Sequence, residues 1–464
     1  MCPIIKNRDT LLDNSRSKRD LAARRLVLLS LEAALKGSDP AVIMKSNLRI
    51  KGSNLTVKSR NYDLSRFERI LVVGGGKAAA SMAMTLEQLL NDRITCGHVN
   101  ILRGTKPRHP PQRIILNEAS HPIPDMEGLK GVAKILEILR NTTSHDLVIC
   151  LLSGGGSALM PYPIAEVSLS DKQLTTQIML KSGATINELN CVRKHLSLVK
   201  GGGLAKAAFP ATVLTLILSD VVGDPLDTIA SAPTFPDSST FASAISVLNN
   251  RGVWRLLPES VRRALKTGAD GNIPETPKED DKVFRKVTNI IIGNNRTACM
   301  AAAEHAKEMG AKSIFLTSLL EGEAEHVGTV VCAIARELQV NNGNSKSPIV
   351  VVMGGETTVT VTGTGRGGRN QQMMLSASLK LGKSEGIAIA SMGTDGLDGN
   401  SPAAGAIVDG NTIQRADRLH LKPADLLRDN DSYKFFNSLH DTIVTGATGT
   451  NLNDVTIGAI VRSK

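Results

Sequence analysis

Residues 146–157 read DLVICLLSGGGS, an apolar run of strand length that stops at three consecutive glycines and a serine. So short a run, built from Val, Ile and Leu, predicts a strand buried on both faces. Glycine directly after it marks a place where the backbone turns tightly or is closely approached. The pattern recurs. RILVVGGG (69–76) is followed by the helix-like KAAASMAMTLEQLLND, then come GHVNILRG (97–104) and ATVLTLILSD (211–220). Such alternation predicts parallel sheets covered by helices on both faces.

The rhythm breaks near residue 268 into TGADGNIPETPKEDDKVFRK, charged, rich in Gly and Pro, and without periodicity. It resumes with NIIIGNN, SIFLTS, PIVVVMGGE and GIAIASMGTDG and finishes with VTIGAIV. We therefore expect two α/β domains, residues 22–285 and 286–464, consistent with a chain of 464 residues that is long for one core. Ahead of the first strand, RDLAARRLVLLSLEAALKG has helical periodicity, with Gly37 placed as a C-cap.

Composition narrows the class. Apolar residues make up 41% of the chain but aromatics only 3%, so the cores must be filled by Leu, Ile, Val, Met and Ala. No apolar run is long enough to span a membrane. Six cysteines (Cys2, Cys96, Cys150, Cys191, Cys299 and Cys332) form no C-x-x-C pair and read as reduced thiols. The net charge is +11, and residues 1–69 hold 15 Lys and Arg against 7 Asp and Glu. These charges are interleaved and few aromatics are available to stack on bases, so we read a solvated basic face and no nucleic-acid partner. The first residues carry Asp9, Asp13 and Asp20 and no apolar signal core, which favours the cytosol, while the basic helical segment leaves mitochondria open.

Most glycine clusters follow a strand: Gly74–Gly76, Gly154–Gly156, Gly354 and Gly355, and GTDGLDG at 393–399. The carboxyl edge of a parallel sheet is where open α/β folds bind ligands, and helices beginning there present free N–H groups to anions. GGGKAA satisfies G-x-G-x-x-A, which brings in a dinucleotide enzyme as a competitor, but the next strand ends in Arg103 where an acidic residue would read the ribose. A P-loop is excluded, because Leu71 and Ala78 break the pattern.

Two cations stand at helix starts, Lys77 and Arg369, where they oppose the helix dipole unless an anion is bound. Three aspartates end strands: Asp220, Asp395 and Asp398. Each could hold Mg²⁺ or take a proton from a hydroxyl, though capping accounts well for Asp398, as it does for Asp224, Asp227 and Asp454. His121 and His195 lack metal-ligand spacing, and His121 reads as a turn residue before Pro122. Ser157 lacks the nucleophile elbow and is better placed to donate to an anion.

Taken together, VVGGGKAA, SHPIPD, LLSGGGSAL, INELNCVRKHLSLVKGGGLA, LSDVVGDPLDTIASAPT, GGETTVTVTGTGRGGRNQQ, SMGTDGLDGNSPAAGAIVDG and TGATGTNLNDV resemble the signature blocks of class II glycerate kinase, in order, from about residue 22 to the end. The resemblance implies a larger N-terminal Rossmann-like α/β/α domain with a mainly parallel sheet and a smaller C-terminal α/β domain, called MOFRL, with the active site in the cleft between them. It implies transfer of the γ-phosphoryl group of ATP, with Mg²⁺, to the 2-hydroxyl of D-glycerate. The positions resembling the family's functional residues are Lys77, Asp220, Arg369 and Asp395, the last as metal ligand. Gly74, Gly75, Gly76, Gly154, Gly155, Gly156 and Ser157 are expected to cradle phosphate. Two departures stand out: Gln372 where the family commonly has Glu, and Ala447 where it often has Pro. A hydroxypyruvate reductase using NAD(P)H is the alternative.

Overall fold

The computed structural model describes residues 4–341 and 347–462, so Cys2 lies outside the described residues. The chain divides into two compact units, residues 43–292 and residues 1–42 with 293–464. The first holds a small antiparallel sheet of β1 (Leu48–Lys51), β2 (Asn54–Val57) and β3 (Arg60–Asp63). Its main sheet is built from β4 (Arg69–Gly76), β5 (Cys96–Leu102), β6 (Ile114–Ala119), β7 (Asp146–Ser153), β8 (Thr212–Leu218) and β9 (Val287–Gly293), in the order β6-β5-β4-β7-β8-β9. Every pairing from β6 through β8 is parallel.

Alternate residues of these strands explain the two-sided burial. Leu71, Val73, Val148, Cys150, Leu152, Val213 and Ile217 enter one core cluster with residues of helix Met126–Leu139. Their neighbours Val72, Ile149, Leu151, Leu214 and Leu216 are buried as well, on the opposite face. The continuous apolar run is therefore what a strand covered on both sides requires.

The second unit is α/β as expected, but its sheet is mostly antiparallel. Its sheet runs β10 (Lys312–Leu320), β11 (Ile349–Gly355), β15 (Asp454–Ile460), β12 (Ile387–Gly393), β13 (Gly405–Asp409) and β14 (Thr442–Ile443). Only β10 and β11 pair in parallel, because the last strand, β15, inserts between β11 and β12 and runs antiparallel to both. Helices Ala324–Asn341 and Arg369–Leu381 supply the core on one face, and helices Lys18–Gly37 and Asn295–Glu308 on the other.

The N-terminal helix thus belongs to the second unit, although we expected residues 22–42 with the domain that follows them in sequence. Its partners give the reason. Arg24, fully buried, pairs with Asp409 at 2.6 Å and Asp441 at 2.9 Å, and Leu28 and Leu31 join the core of Val352 and Ile457. Gly37 is the last helical residue and Ser38 the cap. A β-carbon at Gly37 would come 2.4 Å from the Ala301 β-carbon, so the glycine serves helix packing.

Candidate active site

In the first unit, β4 and β7 are the central neighbours, and the chain continues from β4 to β5 on one side and from β7 to β8 on the other. This is the topological switch point, whose carboxyl edge forms a crevice. The two loops leaving it are tied together: the Lys77 N–H donates to the Gly154 carbonyl at 2.8 Å and the Ala78 N–H to Ser153 Oγ at 3.0 Å.

The glycines of the second loop are bare because side chains of the same edge close over them. A β-carbon at Gly154 would lie 2.0 Å from Asp220 Oδ2. At Gly155, which has φ +78°, it would lie 3.0 Å from the His121 ring and 3.1 Å from Lys77 Cγ. Lys77, Asp220 and His121, contributed by three different loops, therefore converge on one pair of glycines. The first cluster has another cause, since Gly74 and Gly76 turn their open sides to Leu151 and Ser153 of β7.

His121 is the residue that sequence reading left aside as a turn former. Burial first, and the charge of Lys77 second, push its pKa down to about 4, so the imidazole is neutral at pH 7. Ser157 Oγ sits 2.9 Å from Ser231 Oγ, and Ser231 donates to Asn190 Oδ1 at 2.9 Å. Behind it Ala230, Ser231 and Ala232 all occupy the left-handed region, at φ 51°, 61° and 56°. Strain of this kind persists where surroundings enforce it. Here the Gly201 and Gly202 N–H groups donate to the Ser231 and Ala232 carbonyls at 2.9 and 2.7 Å.

In the second unit Arg369 opens helix Arg369–Leu381 behind the N-cap Gly368. Its fork grips Asp454, Nε to Oδ2 at 2.5 Å and Nη2 to Oδ1 at 3.0 Å, and Nη1 reaches Glu356 at 2.8 Å. Burial lowers the guanidinium pKa, but the bond and charge of Asp454, with Glu356, outweigh it and hold the group above its ordinary value. Asp454, which the sequence offered as a capping residue, is the partner of that fork. A cavity of about 540 Å³ beside it is lined by Glu356, Val359, Val361, Gly367 and Gln372.

Asp395 accepts the Leu397 N–H at 3.0 Å. A β-carbon at Gly393 would lie 3.0 Å from Asp395 Oδ1 and 3.5 Å from Asp454 Oδ1, so both carboxylates border one spot. Asp398 does cap: it accepts the Asn370 and Gln371 N–H groups at 3.0 and 2.9 Å, and burial raises its pKa to about 6. Gln372 donates to the Leu427 carbonyl at 2.8 Å, a bond that the family's usual carboxylate could not make. Among the described residues no group of three His, Cys, Asp or Glu could hold a metal ion. The cysteines Cys96, Cys150, Cys191, Cys299 and Cys332 are free, and burial pushes Cys150 and Cys299 up to about 12.

An α/β chain with a switch-point site in one unit and an arginine-led glycine loop in another defines a recognisable class. Residues 26–266 match the family model described as "Domain of unknown function (DUF4147)", and residues 349–454 match the MOFRL family. The glycerate 2-kinase of Pyrococcus horikoshii is 38% identical over 444 residues, covering 95% of this chain and 98% of that protein. The crystal structure of glycerate kinase from Thermotoga maritima superimposes with a TM-score of 0.83 at 38% identity, covering 94% of this chain and 99% of that one. A putative hydroxypyruvate reductase of Agrobacterium vitis is 38% identical over 440 residues, 94% of each chain. The chain belongs to the glycerate 2-kinase family.

Proposed function

We propose that the protein phosphorylates D-glycerate at its 2-hydroxyl, using ATP and releasing ADP and 2-phospho-D-glycerate. The convergence of Lys77, Asp220 and neutral His121 on Gly154 and Gly155 carries the reading. It is joined by 38% identity to a glycerate 2-kinase along nearly the whole chain. Phosphoryl transfer needs positioning and charge neutralisation more than covalent help. Lys77 neutralises the transferring phosphate, with N–H groups of the Gly154–Ser157 loop as further donors. The 2-hydroxyl oxygen bonds to the γ-phosphorus, the bond to the β–γ bridging oxygen breaks, and the hydroxyl proton passes to the Asp220 carboxylate.

The cavity beside Arg369, about 540 Å³, has room for a nucleotide. In the same unit Asp395 borders the Gly393 backbone beside Asp454, and a carboxylate there suits a Mg²⁺ that takes its remaining ligands from water and phosphate oxygens. Asp395 would hold that ion, which supplies charge neutralisation on the phosphates. The reductase alternative is weakened by Arg103, which follows β5 at the ribose-reading position as a cation, held in a 2.7 Å ion pair with Asp125. Incubation with D-glycerate and either Mg-ATP or NAD(P)⁺ is the test. ADP with 2-phosphoglycerate supports the kinase, and reduction of the dinucleotide overturns it.

A further inference from the structure

Beside the Gly155–Ser157 loop lies a cavity of about 200 Å³ whose wall includes Lys172, Arg193 and Lys200 as well as His121, and no Asp or Glu. Lys172 is 6% exposed and Lys200 2%. Their ammonium groups rest on neutral carbonyls: Lys200 Nζ donates to Ser157 O at 2.7 Å and Met160 O at 3.4 Å, and Lys172 Nζ to Leu196 O at 3.2 Å. Among the described residues no carboxylate pairs with any of the three cations. Burying charge without a counter-charge is costly, and three like charges around one hole compound the cost. Burial, then Arg193, brings Lys172 down to about 7; burial, then Lys172 and Arg193, drives Lys200 well below its ordinary value; burial lowers Arg193.

A small anion removes this repulsion. The cavity is below the roughly 300–1,000 Å³ of pockets that enclose drug-sized ligands, which rules against a nucleotide and suits a three-carbon acid. Its wall adjoins the acceptor chemistry, since Gly155 and Ser157 line it and Gly154, the residue before, seats Asp220. The other candidate for a carboxylate clamp, Arg369, has its fork on Asp454. We propose that Arg193, with Lys172 and Lys200, binds the carboxylate of the acceptor, so that the enzyme selects 2-hydroxy acids over neutral alcohols. The proposal rests on the phosphotransferase reading above.

The test is the binding of D-glycerate by calorimetry without nucleotide, together with steady-state kinetics, for Arg193→Gln, Arg193→Lys and Lys172→Met. Loss of one charge-assisted contact should weaken glycerate binding and raise its KM about 10- to 100-fold in Arg193→Gln. Arg193→Lys should recover part of that loss, and the KM for ATP should stay within about twofold. Arg193 is only half-buried, so its variants test binding even if Lys172→Met does not fold. Unchanged glycerate affinity in folded Arg193→Gln, or a loss confined to ATP, overturns the proposal. If the wild type binds D-glycerate through Arg193 yet forms no 2-phosphoglycerate, the kinase reading fails and the carboxylate site stands.

Discussion

Asp220 rests directly on the backbone of Gly154, where a β-carbon would come within 2.0 Å of its Oδ2. Alanine at 154 must push this carboxylate aside, and misplacement of about 1 Å costs on the order of 100-fold in rate. We expect Gly154→Ala to lose about that much kcat, with the melting temperature and the KM for ATP little changed. A variant that turns over normally would show that Asp220 needs no fixed place.

Asp220→Asn keeps the shape and removes the proposed base. General-base assistance is worth about 10²- to 10⁴-fold, so kcat should fall by that factor while nucleotide affinity holds. Near-normal turnover would remove Asp220 from proton transfer.

Arg369→Lys keeps the charge but not the fork that grips Asp454. The KM for ATP should rise about tenfold, in line with the loss of a charged hydrogen bond, and the KM for D-glycerate should stay ordinary. A rise confined to glycerate would make Arg369 the carboxylate clamp in place of Arg193.

His121 gives acid sensitivity a sign. Its folded pKa of about 4 lies below the unfolded value of 6.5, so between these pH values the unfolded chain binds the extra proton. The stability it contributes is present above pH 6.5 and is lost as pH falls toward 4. Melting temperatures from pH 7 to 4.5 should therefore drop more steeply for wild type than for His121→Gln. Parallel profiles would refute a half-buried neutral imidazole.

Arg24 is fully buried between Asp409 and Asp441. Arg24→Ala leaves the buried Asp409 without a cation, while Asp441 keeps Arg415, and breaking such a buried cluster costs about 3–5 kcal/mol. Denaturant unfolding should show a loss of that size, and a change below about 1 kcal/mol would contradict the structure.

The strands and the candidate site at their carboxyl edge were legible because their signals are local. An apolar run with glycine at its end locates β4 and β7, and Lys77 and Asp220 follow from their position at strand termini. His121 was obscured by Pro122, whose turn chemistry explains a neighbouring histidine without any site. Arg193 and Lys172 carry no such marker: they project from helices Ile186–His195 and Leu169–Lys181, and only tertiary packing brings them to one hole. The nearest hint was the basic run VRKH within INELNCVRKHLSLVKGGGLA. The antiparallel course of β15 was hidden for a related reason, because alternation of strand and helix does not say between which strands the last one inserts.

The placement of helix Lys18–Gly37 bears on how the chain is made. It leaves the ribosome early, yet Asp409, Asp441 and Ile457, against which it packs, are synthesised only after the whole of residues 43–292. Contacts so distant in sequence close late and slow folding, and they leave apolar surface uncovered meanwhile. Until they close, the Leu-rich face of this helix is apolar surface without its native cover.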